Sequence, residues 1–316
     1  MDIVITESSY TLLLIFLIYG TEEKIIITSD NMKKLNLKID YKIKLFKIKL
    51  FYFFYLLYLK FYLLKYDKKR YKRVIGSGHL IYSNFIIRDK EFIMIEDGLK
   101  NYNVKQDVNK SRIKKLKYFL GYLPPEIEMK RASKIFLTEI HEIPSNIKEK
   151  VEIIDIFKLW HDLKKDNKEK ILNIFGLNLN KIKRLEKRKI LLLTQPLSED
   201  NILSEKEKVN LYKKVLAEYN QEEIIIKAHP REKTDYQLFF PKIEIIENII
   251  PIELLRLNNF EVEEVITLFS TGVLSYKDKA KISFYGTEVH PRLLEKFGSL
   301  EYLIKRNKFI KSDKCM

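Results

Sequence analysis

At 316 residues, with 46% hydrophobic and 32% charged residues, the chain is long enough for two domains and has a globular composition that excludes a disordered protein. The formal net charge of +16 favours anionic partners such as nucleic acid, anionic lipid and phosphorylated or acidic sugars, although abundant Lys and Ile beside only 9 Gly and 8 Pro weaken charge as functional evidence. The lone Cys315 excludes an internal disulfide and a cysteine-based zinc site, and fits a reducing compartment.

Residues 2–6 read as a buried strand, followed by a Ser8-Ser9 turn and an apolar helix over 10–19. The start lacks a basic n-region, and no small-residue cleavage site follows the apolar run 12–19, so no secretory signal is expected. That run is also far short of the ~20 residues needed to span a bilayer. A second strand covers 23–29 and closes in an Asp30-Asn31 turn. Residues 50–64 then form a helix rich in Phe, Tyr and Leu, interrupted by Lys60 and flanked by ten Lys and Arg residues between Lys42 and Arg73. Two readings of this segment stay open: a helix covering a sheet face with solvated lysines, or a basic aromatic helix lying on an anionic membrane.

Gly76-Ser77-Gly78-His79 reads as a flexible corner, residues 91–95 as a strand delivering Glu96-Asp97-Gly98, and 134–138 as another strand. This βαβα rhythm predicts a first Rossmann-like domain over 1–155, and 156–189 a charged helical connection broken at Gly176. The second domain, 190–316, opens with the strand 190–193 and the turn that begins Thr194-Gln195-Pro196. Val209, Tyr212, Leu216 and Tyr219 recur at helical spacing, predicting a helix over 205–219. Ile224-Ile225-Ile226 reads as a strand buried on both faces, ending in Lys227-Ala228-His229-Pro230. Strands at 243–247, 262–269 and 281–285 complete the pattern; the third of these precedes Gly286, and the helix opened by Pro251 lies between the first two.

Ligands of open α/β sheets sit beyond the carboxyl ends of the strands, so the residues there are the candidate site. Lys227 and His229 fall on one face of a strand end and suit an anion, since a histidine donates to or protonates a leaving phosphate near neutral pH. Ser270-Thr271-Gly272 offers hydroxyls and backbone amides to a phosphate, or is an ordinary N-cap. Glu96-Asp97-Gly98 is the one paired acid-glycine group at a strand end; a carboxylate there serves as a general base toward a sugar hydroxyl, or is a common acidic turn. Glu253, two residues past Pro251, either grips a ribose diol or sits in a helix first turn. His290-Pro291 reads as structural, and His79, His141 and His161 offer no matching partners. No Asp-x-Asp triplet occurs, so no metal site and no metal cofactor are predicted.

Taken in order, Glu96-Asp97-Gly98, Lys227-Ala228-His229-Pro230, Pro251-Ile252-Glu253 and Ser270-Thr271 resemble the motifs shared by bacterial sialyltransferases, and residues 191–200 resemble the opening of the second domain in lipooligosaccharide sialyltransferases of glycosyltransferase family 52. The resemblance implies an α/β GT-B-like architecture, two Rossmann-like domains facing a cleft, with the C-terminal one holding CMP-sialic acid. By position, Asp97 would deprotonate the acceptor hydroxyl, and His229 would stabilise or protonate the departing CMP. Ser270, Thr271 and Gly272 would hold its phosphate, Lys227, Pro251 and Glu253 would contact the cytidine, and Glu96, Gly98, Thr194 and Gln195 would line the site. The hydroxyl pair reads Ser-Thr where relatives often show Ser-Ser, which retains both donors. The implied reaction is an inverting, metal-independent transfer of sialic acid to a galactoside-type acceptor on a lipooligosaccharide or lipopolysaccharide, by a cytoplasmic enzyme peripheral on the inner membrane face; family members dimerise. Two rivals remain: a relative using another donor such as UDP-glucose, and a non-catalytic basic protein binding nucleic acid or a membrane surface.

Overall fold

The β-branched runs assemble into two sheets. A computed structural model describes the chain except residues 30, 31, 33, 44–48, 64, 65, 67–69, 81, 99, 100, 103–120, 139, 140, 186, 302–304, 306, 308 and 312–316. The expected Asp30-Asn31 turn and Cys315 lie outside the described residues. The chain divides into two compact units, Met1–Phe175 and Gly176–Met316.

The first unit is built on seven parallel strands: β1 (Asp2–Ile5), β2 (Lys24–Ser29), β3 (Tyr41–Ile43), β4 (Arg73–Gly76), β5 (Glu91–Ile95), β6 (Lys134–Leu137) and β7 (Val151–Ile153), in the order β3-β2-β1-β4-β5-β6-β7. The second carries six parallel strands: β8 (Ile190–Leu193), β9 (Ile224–Lys227), β10 (Glu244–Ile246), β11 (Glu264–Thr267), β12 (Lys281–Phe284) and β13 (Ile310–Lys311), in the order β10-β9-β8-β11-β12-β13. Both sheets wind alike. The first strand lies in the middle, the next two add on one side, and the fourth adds on the other. The strand order therefore reverses between β1 and β4, and again between β8 and β11, which is where doubly wound sheets open a crevice for a ligand.

Local chemistry explains these elements. The strands Ile-Leu-Leu-Leu and Ile-Ile-Ile-Lys are buried along their whole length, as continuous apolar runs in covered parallel sheets are. The helix Ser9–Tyr19 is apolar all round and buried at seven consecutive positions from Thr11 to Leu17. Ser8 caps it by accepting from the Thr11 N–H, and Gly20 ends it at φ 72° with its N–H on the Phe16 carbonyl. The helix Glu205–Leu216 starts in a reciprocal capping box between Ser204 and Glu207. It stops three residues short of the expected Tyr219, whose hydroxyl instead donates to Glu264 Oε1 at 3.0 Å.

Four strands escape the sequence pattern. β3, β7 and β13 are two or three residues long. β4 hides behind the expected flexible corner, but Gly76, Ser77 and Gly78 are buried. Gly76 adopts φ +133° directly against the Ile5 carbonyl, where an added Cβ would sit 2.0 Å from the oxygen. Only glycine allows that approach. The expected connection 156–189 is divided between the units. Trp160, Ile171 and Phe175 are buried, and the Phe175 ring meets Phe16 edge-on with centroids 6.4 Å apart, so 156–175 belong to the first unit. In the helix Lys49–Leu63, Leu56, Leu59 and Leu63 join the core while Phe54, Tyr58 and Phe61 face outward.

Candidate active site

In the first unit, β5 carries Glu96, Asp97 and Gly98 out of the sheet. Gly98 takes φ +98° in a turn closed by Asn101, whose N–H donates to the Gly98 carbonyl and whose side-chain oxygen accepts from the Asp97 N–H at 2.5 Å. Glu96 does not line a site. It is fully buried, and its carboxylate accepts from the Tyr10 hydroxyl (2.9 Å), the Tyr102 hydroxyl (2.6 Å) and the Thr138 N–H (2.7 Å), so its role is to brace the ends of β5 and β6.

Asp97 is the partly accessible member of the pair, its side chain 20% exposed. Oδ2 lies 3.2 Å from His79 Nε2, and Oδ1 accepts from the Thr11 hydroxyl at 3.1 Å. Burial pushes the carboxyl up, but the His79 hydrogen bond and charge, aided by Ser8 and Thr11, outweigh it and hold Asp97 below the ordinary carboxylate range. Asp97 is therefore ionised at neutral pH.

His79 corrects the sequence reading that gave it no partner. β4 and β5 are neighbours, which sets the segment after β4 beside Asp97. The other ring nitrogen, Nδ1, lies 3.5 Å from Glu128 Oε2, on the short helix Pro125–Arg131. Burial opposes the charged ring, but the two carboxylates raise His79 to about 10. Glu128 is itself fixed by the Gly78 N–H.

In the second unit, the candidate residues cluster at the carboxyl ends of β9, β8 and β11. The Thr194 N–H donates to the Lys227 carbonyl across β8 and β9 (3.3 Å), and the Thr267 hydroxyl donates to the Leu193 carbonyl across β11 and β8 (3.1 Å). The loops bearing His229 and Ser270 thus hang on consecutive residues of one strand end. Thr267 Oγ1 also accepts from the Ser270 N–H (2.9 Å), and Ser270 Oγ accepts from the Gly272 N–H (3.3 Å), opening a 3₁₀ turn over Thr271–Tyr276. Gly272 packs against Ile252 and Leu193, where an added Cβ would stand 3.2 Å and 3.4 Å away. That contact brings Ser270-Thr271-Gly272 against the start of the helix Ile252–Leu257, which Pro251 precedes and whose Glu253 accepts from the Ser275 hydroxyl at 3.4 Å.

His229 is half-buried, and its Nδ1 accepts from the Arg231 N–H at 3.2 Å. With Nδ1 accepting, the ring's N–H donor is at Nε2. Lys227 does not reach the lip of the strand. It is 5% exposed, and its ammonium donates to the Ala228 and Asn248 carbonyls (2.7 and 2.9 Å). Burial lowers it to about 8 despite Glu232, Glu253 and Glu247. It knits strand ends together. Thr194 is buried with its hydroxyl given to Glu232, and Gln195 contributes its N–H to Tyr212.

Two buried charges were invisible in the sequence. Glu232 accepts from Thr194 Oγ1 (2.5 Å), Tyr236 OH (2.5 Å) and the His229 N–H (2.8 Å), so it shapes the His229 turn. Lys208, fully buried, lies 3.0 Å from Glu199, 3.4 Å from Glu205 and 3.5 Å from Glu232. A carboxylate three residues past a His-Pro is the signal that a turn-capping rule would have read. His290 behaves as expected, capping the helix Pro291–Phe297 through Nδ1. Among the described residues, no group of three or more His, Cys, Asp or Glu is placed to hold a metal.

A model of glycosyltransferase family 52 matches residues 13–293. A Haemophilus influenzae protein described as uncharacterized is 40% identical over 245 residues, 77% of this chain and 78% of its own. Among solved structures, the chain resembles the GT-B domain of a Photobacterium damselae sialyltransferase (TM-score 0.57, 12% identity, covering 99% of this chain and 98% of that one). It also resembles a 2,6-sialyltransferase of Photobacterium sp. JT-ISH-224 in complex with CMP and lactose (TM-score 0.55, 10% identity, 97% and 74%). At these identities the structural likeness establishes the fold alone, which is GT-B.

Proposed function

The chain belongs to glycosyltransferase family 52 and is a glycosyltransferase, and from that premise we propose that it transfers sialic acid from CMP-sialic acid to a galactoside-type acceptor on a bacterial surface glycolipid. The acceptor oxygen attacks the anomeric carbon and its proton passes to Asp97. The bond from that carbon to CMP breaks with its electron pair leaving on the phosphate, so configuration inverts in one step. Charge growing on that phosphate meets the His229 imidazole, the Ser270 and Thr271 hydroxyls and the amides of the Thr271–Tyr276 turn, and Glu253 and Pro251 contact the cytidine. Metal is not required, since these donors take the phosphate charge directly. The observation that carries the reading is that the strand end before His229 and the loop bearing Ser270 are hydrogen-bonded to the consecutive residues Thr194 and Leu193 at the end of β8, beside the β8–β11 reversal. A protein of the same fold crystallised with CMP and lactose supports the choice of donor and acceptor class.

The test begins with thermal shift. CMP stabilises the protein and UMP does not. CMP-sialic acid with lactose then yields product, and Asp97→Asn abolishes transfer while CMP still binds. Turnover of UDP-glucose alone would overturn the donor assignment, and near-normal transfer by Asp97→Asn would overturn the base.

We also propose that the helix Lys49–Leu63 rests on an anionic membrane surface, the place of a lipid-linked acceptor. Phe54, Tyr58 and Phe61 recur at helical spacing and are 59%, 56% and 69% exposed, close in sequence to the exposed Lys42, Arg70 and Lys72. No helix among the described residues is long and apolar enough to cross a membrane.

A further inference from the structure

We propose that His79, clamped between the carboxylates of Asp97 and Glu128, is the positioning residue that fixes the Asp97 carboxylate for proton abstraction. The inference rests on the reading of Asp97 as the base. The clamp has two engaged ends, Nε2 at 3.2 Å from Asp97 Oδ2 and Nδ1 at 3.5 Å from Glu128 Oε2. A carboxylate oxygen lies within ion-pair distance of each ring nitrogen, closer at the Asp97 end, while Glu128 Oε2 makes no hydrogen bond among the described residues. The ring's own position is built in. Glu128 is 1% exposed, and its Oε1 accepts from the Gly78 N–H, a contact that needs glycine because a Cβ there would stand 2.8 Å from Glu128 Cγ and 2.9 Å from the Phe92 ring.

The charges of the cluster favour the proposed chemistry. The imidazolium beside Asp97 balances the carboxylate charge until a proton arrives on Asp97. Removing the imidazolium would take away the hydrogen bond and charge that lower the Asp97 pKa, leaving burial to raise it. Other groups face Asp97 from each neighbouring element. Thr11 on the helix Ser9–Tyr19 shares its hydroxyl proton between Asp97 Oδ1 and the Glu96 carbonyl. Glu96, the adjacent acid, is held by Tyr10, Tyr102 and Thr138, and His141 lies beyond Tyr102 with ring centroids 6.1 Å apart. Among these, His79 is the group in ion-pair contact with Asp97.

The experiment compares pH–rate profiles of sialyl transfer from CMP-sialic acid to lactose for the wild type, His79→Gln and Asp97→Asn, with imidazole ¹⁵N spectra of the intact wild-type protein alongside. His79→Gln lowers kcat about tenfold or more through lost alignment, with little change in donor KM. Because the imidazolium holds Asp97 ionised, its removal moves the acid limb upward by about one pH unit, a change a purely structural role would not produce. The wild-type spectrum shows one ring still doubly protonated at pH 8, assigned to His79 by substituting the other histidines. An unchanged acid limb in His79→Gln, with Asp97→Asn inactive, overturns the inference and leaves the base standing. An active Asp97→Asn overturns the base itself. A neutral His79 ring at pH 7 overturns the inference whatever the rates, including when His79→Gln does not fold or the wild type rejects this donor.

Discussion

Gly76→Ala places a methyl carbon 2.0 Å from the Ile5 carbonyl oxygen at a residue held at φ +133°. The backbone conformation alone costs an alanine about 1–3 kcal/mol. Relieving the overlap means moving β1 and β4 apart at Ile5↔Gly76, a well-packed centre where overpacking costs about 1–3 kcal/mol. The same movement weakens the Ser77 N–H bond to the Ile5 carbonyl, 2.9 Å long and contributing about 0.5–1.5 kcal/mol. The sum is about 2.5–7.5 kcal/mol, or roughly 5–30 °C for a unit of this size. Gly20→Ala in the same unit is the control: Gly20 has φ +72°, but nothing lies within 4 Å of its added Cβ, so only the backbone cost of about 1–3 kcal/mol applies. Calorimetry reads both substitutions, since a chain of two units can melt in two transitions. The transition of the first unit should fall clearly further for Gly76→Ala than for Gly20→Ala, by about 1.5–4.5 kcal/mol more, with the second unit unmoved. Equal shifts for the two substitutions would refute the close approach of β4 to β1.

Lys208→Met leaves the carboxylates of Glu199 and Glu232 without their shared cation inside the second unit, and should cost about 3–5 kcal/mol in its unfolding. Burial already pushes the Glu232 carboxyl up, so adding Glu232→Gln to Lys208→Met should recover part of the loss in urea melts; a strictly additive double mutant would show that the charges are uncoupled. Vesicles rich in anionic lipid should co-sediment the protein, neutral vesicles should not, and Phe54→Ser with Tyr58→Ser and Phe61→Ser should abolish the binding. Equal sedimentation with neutral vesicles would remove the membrane role.

The long strands were legible because three consecutive Ile or Val residues have few alternatives to a covered parallel sheet. Their ends were legible as positions for chemistry: Asp97, His229 and Ser270 all emerge at carboxyl ends of strands. What the sequence concealed is contact made through strand order. His79 meets Asp97 only because β4 and β5 are neighbours, and β4 was missed because two glycines gave it the look of a loop. Lys227 shares a strand face with His229 in sequence, yet an ammonium five bonds from the backbone can fold back onto carbonyls, as it does on Ala228 and Asn248. Lys208 sits among exposed lysines on an amphipathic helix, and one-dimensional periodicity does not separate a buried cation from its solvated neighbours. Short edge strands of two or three residues carry too few side chains for any pattern.

Because each sheet winds outward from its earliest strand, the two ends of the chain differ in how much damage they can absorb. Trimming residues 2–5 would pull out a strand laddered on both flanks, to β2 and to β4, and cleave the seven-stranded layer in half. Losing Ile310 and Lys311 would strip only a margin paired on one side, to β12. Substitutions that disrupt β1 should therefore cost the fold far more than substitutions in β13.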